Sequence, residues 1–308
     1  MQYIVNLNYF GEICALFASI CWSIAIIFFK SVSKNLSPIL ITAFKNSIGL
    51  FFFILFFLIF NIPIWYDGLS TSDYIKILIS GALGMGFADL IFIYALSKIG
   101  ANRIAIINCF EPAVIYLFST IMLGTILNIQ QLSGFIIVIL SIVIISYEKN
   151  DTDIDKKTKI YGLTLQIIAI FLSSFGIVLI KPILTKISHS IEIQLWVTAF
   201  RLLPGFIVAW IVFSLQKEKQ KLLKPIYSNY KVLYKILLSS ILGTFIALNF
   251  WIVGYSNIEK PPIASIIGQT SVIFITILSW AVLKEKISKL RFLAMIIAII
   301  GVILITIK

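Results

Sequence analysis

The sequence predicts an all-α polytopic membrane protein with ten transmembrane helices arranged as two inverted five-helix repeats. Three observations carry that prediction: a composition too apolar for water, ten separate apolar runs of spanning length, and a collinear internal repeat. Of 308 residues, 60% are hydrophobic and 12% charged, with a mean hydropathy of +1.05. A soluble domain carries roughly 25% charged residues. Hydrocarbon offers the backbone no hydrogen bonds, so long apolar runs without two-residue alternation select helices.

The first run, Tyr9 to Phe29, follows no basic segment, contains Glu12 and has no small-residue cleavage site, so it reads as a retained span. The second, Ile39 to Phe60, starts after Ser37-Pro38, a helix-start signal. The third, Tyr74 to Leu96, follows Asn61-Ile62-Pro63 and carries Gly81, Gly84 and Gly86. With no strand before them, these glycines indicate close helix packing rather than a nucleotide loop. In the fourth, Ile104 to Leu123, the mid-span pair Glu111-Pro112 is expected to free a backbone carbonyl. The fifth, Leu132 to Tyr147, runs into the charged stretch Glu148 to Lys159, which divides the chain into repeats at 1–150 and 151–308. The second half holds Tyr161 to Ile180, Ile193 to Leu215, Leu233 to Tyr255, Ile263 to Leu283 and Leu290 to Ile307. Its main punctuation is the Lys-rich connection Gln216 to Lys235 and the pair Pro261-Pro262.

Self-similarity fixes the architecture further. Gly11, Ser23 and Lys30 recur as Gly162, Ser174 and Lys181 at an offset of 151 (162 − 11). Thr42-Ala43-Phe44-Lys45 recurs as Thr198-Ala199-Phe200-Arg201 at 156 (198 − 42), and Leu83-Gly84 as Leu242-Gly243 at 159 (242 − 83). Leu123 and Ser141-Ile142 match Leu283 and Gly301-Val302 at 160 (283 − 123). The offset drifts only where connections absorb insertions. Because each half has an odd number of spans, the second must start from the opposite side of the membrane, the arrangement that places a site near the midplane between halves.

The formal charge of +12 does not point to nucleic acid, because the Lys and Arg residues sit mostly in short connections beside apolar runs. Cys14, Cys21 and Cys109 fall within apolar helices and read as small core residues, and His189 is the lone histidine. Neither a metal site nor a cofactor is expected. Lys45, Asp89, Glu111 and Arg201 lie well inside spans, where each costs roughly 2.5–3.5 kcal/mol on insertion scales. They sum to zero charge. One reading is mutual pairing that holds the halves together; the other is a solute cavity in which Asp89 and Glu111 are the candidates for taking a proton. Asn108, Glu111 and Ser119 share one helical stripe, Ser265, Gln269 and Thr276 a second, and Glu12, Ser19, Ser23 and Lys30 a third. Trp22, Asn249 and Trp251 complete the expected cavity lining with Lys45, Asp89, Asn108, Glu111, Arg201 and Gln269.

The segment Ala18 to Lys30 (ASICWSIAIIFFK) resembles the first-span pattern of the drug/metabolite transporter superfamily, specifically its EamA-type ten-span members. Pro38 to Lys45, Tyr94 to Ala101, Glu111-Pro112-Ala113 and Val282 to Ile287 are similar to later motifs of that family, in order. The resemblance places the family's second-span basic position on Lys45, its Trp on Trp22 and its Glu-Pro on Glu111 and Pro112. Thr125 departs from the usual Glu after Leu-Gly, and Gln269-Thr270-Ser271 replaces a proline-bearing segment. What the resemblance implies is an inner-membrane carrier of amino acids or other metabolites, often exporting them.

The expected function is secondary transport of a small solute by alternating access, with the bilayer and the solute as partners. A membrane-embedded enzyme using Asp89 and Glu111, and a passive channel or facilitator, are the competing readings. Lys and Arg number 18 in the odd-numbered connections and 5 in the even-numbered connections and termini. The positive-inside rule therefore puts both termini outside, whereas the resemblance implies cytoplasmic termini.

Overall fold

The computed structural model describes residues 9–33, 35–99, 104, 107–146, 155–283 and 288–307. Among these the regular structure is helical, with no strand. We label α1 Phe10–Val32, α2 Pro38–Ile59, α3 Thr71–Ile99, α4 Glu111–Leu123, α5 Ile129–Ser146 and α6 Lys156–Lys186. They are followed by α7 Ile191–Ser214, α8 Lys219–Ser228, α9 Tyr230–Asn257, α10 Pro261–Gly268, α11 Ser271–Leu283 and α12 Lys289–Thr306. Among the described residues, seven helical stretches are long and apolar enough to cross a membrane, and shorter apolar helices lie at Glu111–Leu123, Ile129–Ile144 and Phe292–Thr306.

Helix starts follow the local chemistry. Ser37 accepts the Leu40 amide at 3.3 Å with Pro38 in the first turn of α2. Ser70 and Asp73 form a capping box at the start of α3. Asp155 accepts the Thr158 amide at 3.0 Å to begin α6, and the Thr158 side chain together with that amide holds its carboxyl below the usual carboxylate range. Gly124 ends α4 with φ +65°, a backbone state that glycine adopts without steric cost.

Three features depart from the sequence reading. The fourth expected span is not one helix from Ile104: turn residues at Cys109 and Phe110 precede α4, which starts at Glu111. Pro112 therefore sits in the first turn of a helix, where its missing N–H costs nothing, and not in mid-helix as expected. The ninth span is likewise broken, between α10 and α11 at Gln269-Thr270. The Lys-rich seventh connection is not all loop, because it contains α8, whose Ile226 is buried while Tyr227 is 79% exposed.

Helices α3 and α9 each contain one seven-residue π-helical segment, Ala82–Ala88 and Ile241–Ala247. The two segments lie 159 positions apart (241 − 82), the offset at which Leu-Gly recurs.

Packing between the two halves of the chain is reciprocal. Helix α1 packs on α9, and α6 packs on α3. Likewise α2 contacts the π segment of α9, while α7 contacts the π segment of α3. Three further pairs join the halves: α2 with α7, α4 with α10, and α5 with α12. The last pair runs antiparallel, because Gln130 near the start of α5 donates to the carbonyls of Leu304 (3.0 Å) and Ile307 (3.3 Å) at the end of α12. A Cβ at Gly134 would come within 2.7 Å of the Gly301 carbonyl, so the two helices cross at glycines.

The apolar core forms two clusters. One gathers Phe57, Ile62, Tyr74, Trp196 and Ile258 at the end of the bundle where α1 begins. The other gathers Phe29, Leu36, Ile99, Ile104, Phe213 and Val232 at the opposite end.

Candidate functional site: a charged cavity inside the bundle

A cavity of about 310 Å³ lies within the bundle, lined by parts of the first, second, third, fourth, sixth, seventh, eighth and ninth expected spans. Eight of the nine expected lining residues border it: Trp22, Lys45, Asp89, Asn108, Glu111, Arg201, Trp251 and Gln269. Asn249 does not. It follows Leu248, which does line the cavity, and its Oδ1 is buried with no hydrogen-bond partner among the described residues. One step along a helix turns a side chain by about 100°, enough to take it off the lining.

The four intramembrane charges do not form a single network. Lys45, 4% exposed, places Nζ 2.5 Å from Asp89 Oδ2 and 3.0 Å from Asn46 Oδ1. Asn46 in turn donates to the Met85 carbonyl at 3.1 Å, which fastens α2 to the π segment of α3. Among the described residues Glu111 pairs with no cation; its Oε2 accepts the Gln269 amide at 3.1 Å. That bond joins the break before α4 to the break between α10 and α11. Unwound backbone is tolerated at membrane depth where it borders a protein-lined cavity, so the two breaks and the cavity belong together.

Arg201, 2% exposed, donates from Nε to Ser80 Oγ at 2.8 Å and holds its guanidinium 5.5 Å from the Trp251 ring centroid. Its Nη1 has no hydrogen-bond partner among the described residues. The π segment of α3 lies against it: a Cβ at Gly84 would be 2.9 Å from Nη2, and one at Gly81 would overlap the Arg201 carbonyl oxygen. The glycines thus serve close approach, as the sequence suggests.

The serine stripe of α1 is shared between lining and adhesion. Ser19 borders the cavity and lies 3.0 Å from Thr270 Oγ1, while Ser23 donates to the Ser271 carbonyl at 3.0 Å. Both bonds tie α1 to the break in the ninth span. Ser119 of the fourth-span stripe is buried, and its hydroxyl has no partner among the described residues. Lys181 is used structurally, donating to the carbonyls of Tyr255 (2.6 Å) and Ile258 (2.5 Å) at the end of α9. Nothing is described of the Lys30 side chain, its repeat counterpart, which lies outside the described residues.

Sequence reasoning missed Gln166, Ser173, Thr244 and Tyr255, all of which line the cavity. Gln166 donates to Asn108 Oδ1 at 2.5 Å. A signal for part of this set was present: Gly162, Gln166 and Ser173 lie on one helical face at i, i+4 and i+11. At the end of the bundle where α1 begins, aromatic rings fill the space. Trp65 stacks on Tyr74 (4.5 Å, 11°), Trp196 stacks on Phe200 (4.6 Å, 17°), and Trp196 Nε1 donates to the Ile64 carbonyl at 2.9 Å.

Apolar helices of spanning length around a polar, charge-bearing interior define a multi-pass membrane protein with an internal site. The chain belongs to the EamA-like transporter family of the drug/metabolite transporter superfamily, which matches residues 9–147 and 160–307. It is 25% identical over 129 residues to the "Uncharacterized transporter YoaV" of Bacillus subtilis (strain 168), an alignment covering 42% of this chain and 44% of that protein. The chain thus spans less than half the length of that relative. A protein of known crystal structure superposes with a TM-score of 0.75 at 14% identity, over 97% of this chain and 96% of the other, a likeness of fold.

Proposed function

We propose that the protein is a secondary transporter of the plasma (inner) membrane that moves a small metabolite, such as an amino acid, outward by alternating access at the central cavity. Ten spans in two inverted repeats, residues 1–150 and 151–308, provide the machinery. The reciprocal packing of α1 on α9 and α6 on α3 supports this arrangement, since an in-plane twofold exchanges those pairs. The antiparallel contact of α5 with α12 supports it as well. The aromatic packing beside Trp196 is a seal that must loosen when the cavity faces the other way.

The observation that carries the proposal is a cavity bordered by Lys45, Asp89, Glu111 and Arg201, reached by residues of both halves. Solute contacts come from Trp22, Lys45, Asn108, Arg201, Trp251 and Gln269. Asp89 and Glu111 are the proton-coupling groups: the first can exchange its bond to Lys45 for a proton, and the second has the Gln269 amide as its partner among the described residues. Reconstituted Lys45→Ala and Glu111→Ala proteins are expected to lose solute flux while keeping wild-type helicity and a monodisperse elution profile. Normal flux in both variants would remove the cavity from the mechanism. An imposed pH gradient is expected to drive wild-type flux, and indifference to it would end the coupling role of the two carboxyls.

A further inference from the structure

Lys45 and Arg201 occupy equivalent positions, 156 residues apart (201 − 45), and both line the cavity. Their treatment differs. Lys45 has a carboxylate, Asp89, at 2.5 Å. Asp89 lies six residues beyond Leu83, and the same step beyond Leu242 reaches Leu248, which also lines the cavity but carries no charge. The first half therefore supplies its own counterion and the second does not. Among the described residues no carboxylate lies within ion-pair distance of Arg201, and its Nη1 is unpartnered although the residue is only 2% exposed.

Burying a cation without an anion is costly, and a chain that keeps one in a cavity is built to have it neutralised by something else. Ser80 holds Nε and Trp251 faces the guanidinium, so the group is held in place before anything arrives. A planar guanidinium with free N–H donors matches a carboxylate, which can take two parallel bonds from it.

We propose, building on the transporter reading above, that the free edge of Arg201 is the docking point for the carboxylate of a transported organic monoacid. The body of the solute then lies between Trp22 and Trp251. With Lys45 and Asp89 cancelling and Glu111 in its protonated form, Arg201 leaves one positive charge for one negative charge on the solute. A phosphate monoester would bring a second charge toward Asp89 and Glu111, which border the same space. The volume of about 310 Å³ is at the small end of ligand sites, which run roughly 300–1,000 Å³, so the acid is a small one.

The test is a thermal-shift titration of the purified full chain with aliphatic and aryl monocarboxylates from acetate to naphthoate, each beside its primary amide and its amine. At least one acid is expected to stabilise the protein, with its amide and amine about 10-fold weaker or worse, as loss of a charged bidentate contact implies. Leu248→Asp gives Arg201 the counterion that Lys45 already has. It is expected to weaken acid binding about 10-fold without lowering the melting temperature of the free protein. Arg201→Met should lose acid binding by a similar factor. If amides or amines bind as well as acids, or if acids bind both variants as tightly as wild type, the carboxylate subsite is wrong while the cavity reading stands. If none of the three classes stabilises the wild type, the carboxylate subsite falls as well, and the transporter reading is then decided by the flux of the Lys45→Ala and Glu111→Ala proteins alone.

Discussion

The cost of placing a charge in hydrocarbon is what made the site readable residue by residue. Lys45, Asp89, Glu111 and Arg201 stand out in apolar runs because each must repay its insertion penalty inside the protein, and all four border one cavity. Uncharged partners gave no such signal. Ser80 fixes Arg201 and Gln166 bonds Asn108, yet a serine or glutamine in a membrane helix is as often adhesive as functional. Asn249 shows the opposite error, a polar residue chosen by type whose side chain falls outside the lining. The glycines around Arg201 make a test of its seating. At Gly81 an added methyl would overlap the Arg201 backbone carbonyl, which cannot rotate away, so Gly81→Ala is expected to cost about 1–3 kcal/mol, measured as a fall in melting temperature. At Gly84 the obstructing atom is Arg201 Nη2, the end of a flexible side chain. Gly84→Ala should keep most of the stability and weaken whatever Arg201 binds. Equal melting temperatures for wild type and Gly81→Ala would show that α3 and α7 are looser here than the contact implies.

Helices were legible wherever apolar length was enough to decide, and least legible where the chain interrupts itself. The expected start of the second span, Ile39, lies one residue from the helix start at Pro38, because Ser37-Pro38 is a local signal that acts whatever surrounds it. Of the two breaks, before Glu111 and at Gln269-Thr270, the first alone has a comparable signature. Pro112 marks one of them, but apolar periodicity reads straight through the other. Both breaks border the cavity, where freed backbone groups are shielded from lipid, so the departure from continuous helix coincides with the site. The π segments were also invisible to pattern, although each contains the repeated Leu-Gly pair that marks its position. At the α5–α12 crossing, Gly134→Leu places a branched side chain where a single Cβ already comes within 2.7 Å of the Gly301 carbonyl. Overpacking there is expected to lower stability by about 1–3 kcal/mol while leaving the residues around Arg201 in place. The check is a lowered melting temperature with unchanged affinity for a stabilising solute. A change in affinity without one in stability would mean that this helix pair is coupled to the cavity and is not simply a scaffold.

For the whole molecule, the same helices that bury an ion-pair system also have to be inserted in one sense, and charge outside the membrane decides which. Contacts such as Gly11 with Ile258, Lys186 with Asp73, Trp196 with Ile64 and Gln130 with Ile307 hold together the end of the bundle where α1 begins and α12 ends. At the other end, Lys235 reaches Ser31 and Gly162 meets Ile99, and α8 contributes Lys219, Lys221 and Lys224. On the proposed ten-span topology, 18 Lys and Arg fall in the connections of that second end against 5 in those beside the termini. In the proposed arrangement of two inverted halves, the core is nearly indifferent to which way up it sits, so the connections set the sense of insertion. The termini are therefore expected outside the cytoplasm, with the Trp196 seal on the outer side and the lysine-rich end in contact with the anionic inner leaflet. Fusion of a reporter that fluoresces only in the cytoplasm after Lys308 should give a dark protein, whereas a phosphatase active only outside should be active at the same position. The reverse pair of results would invert the molecule and place the aromatic seal inward.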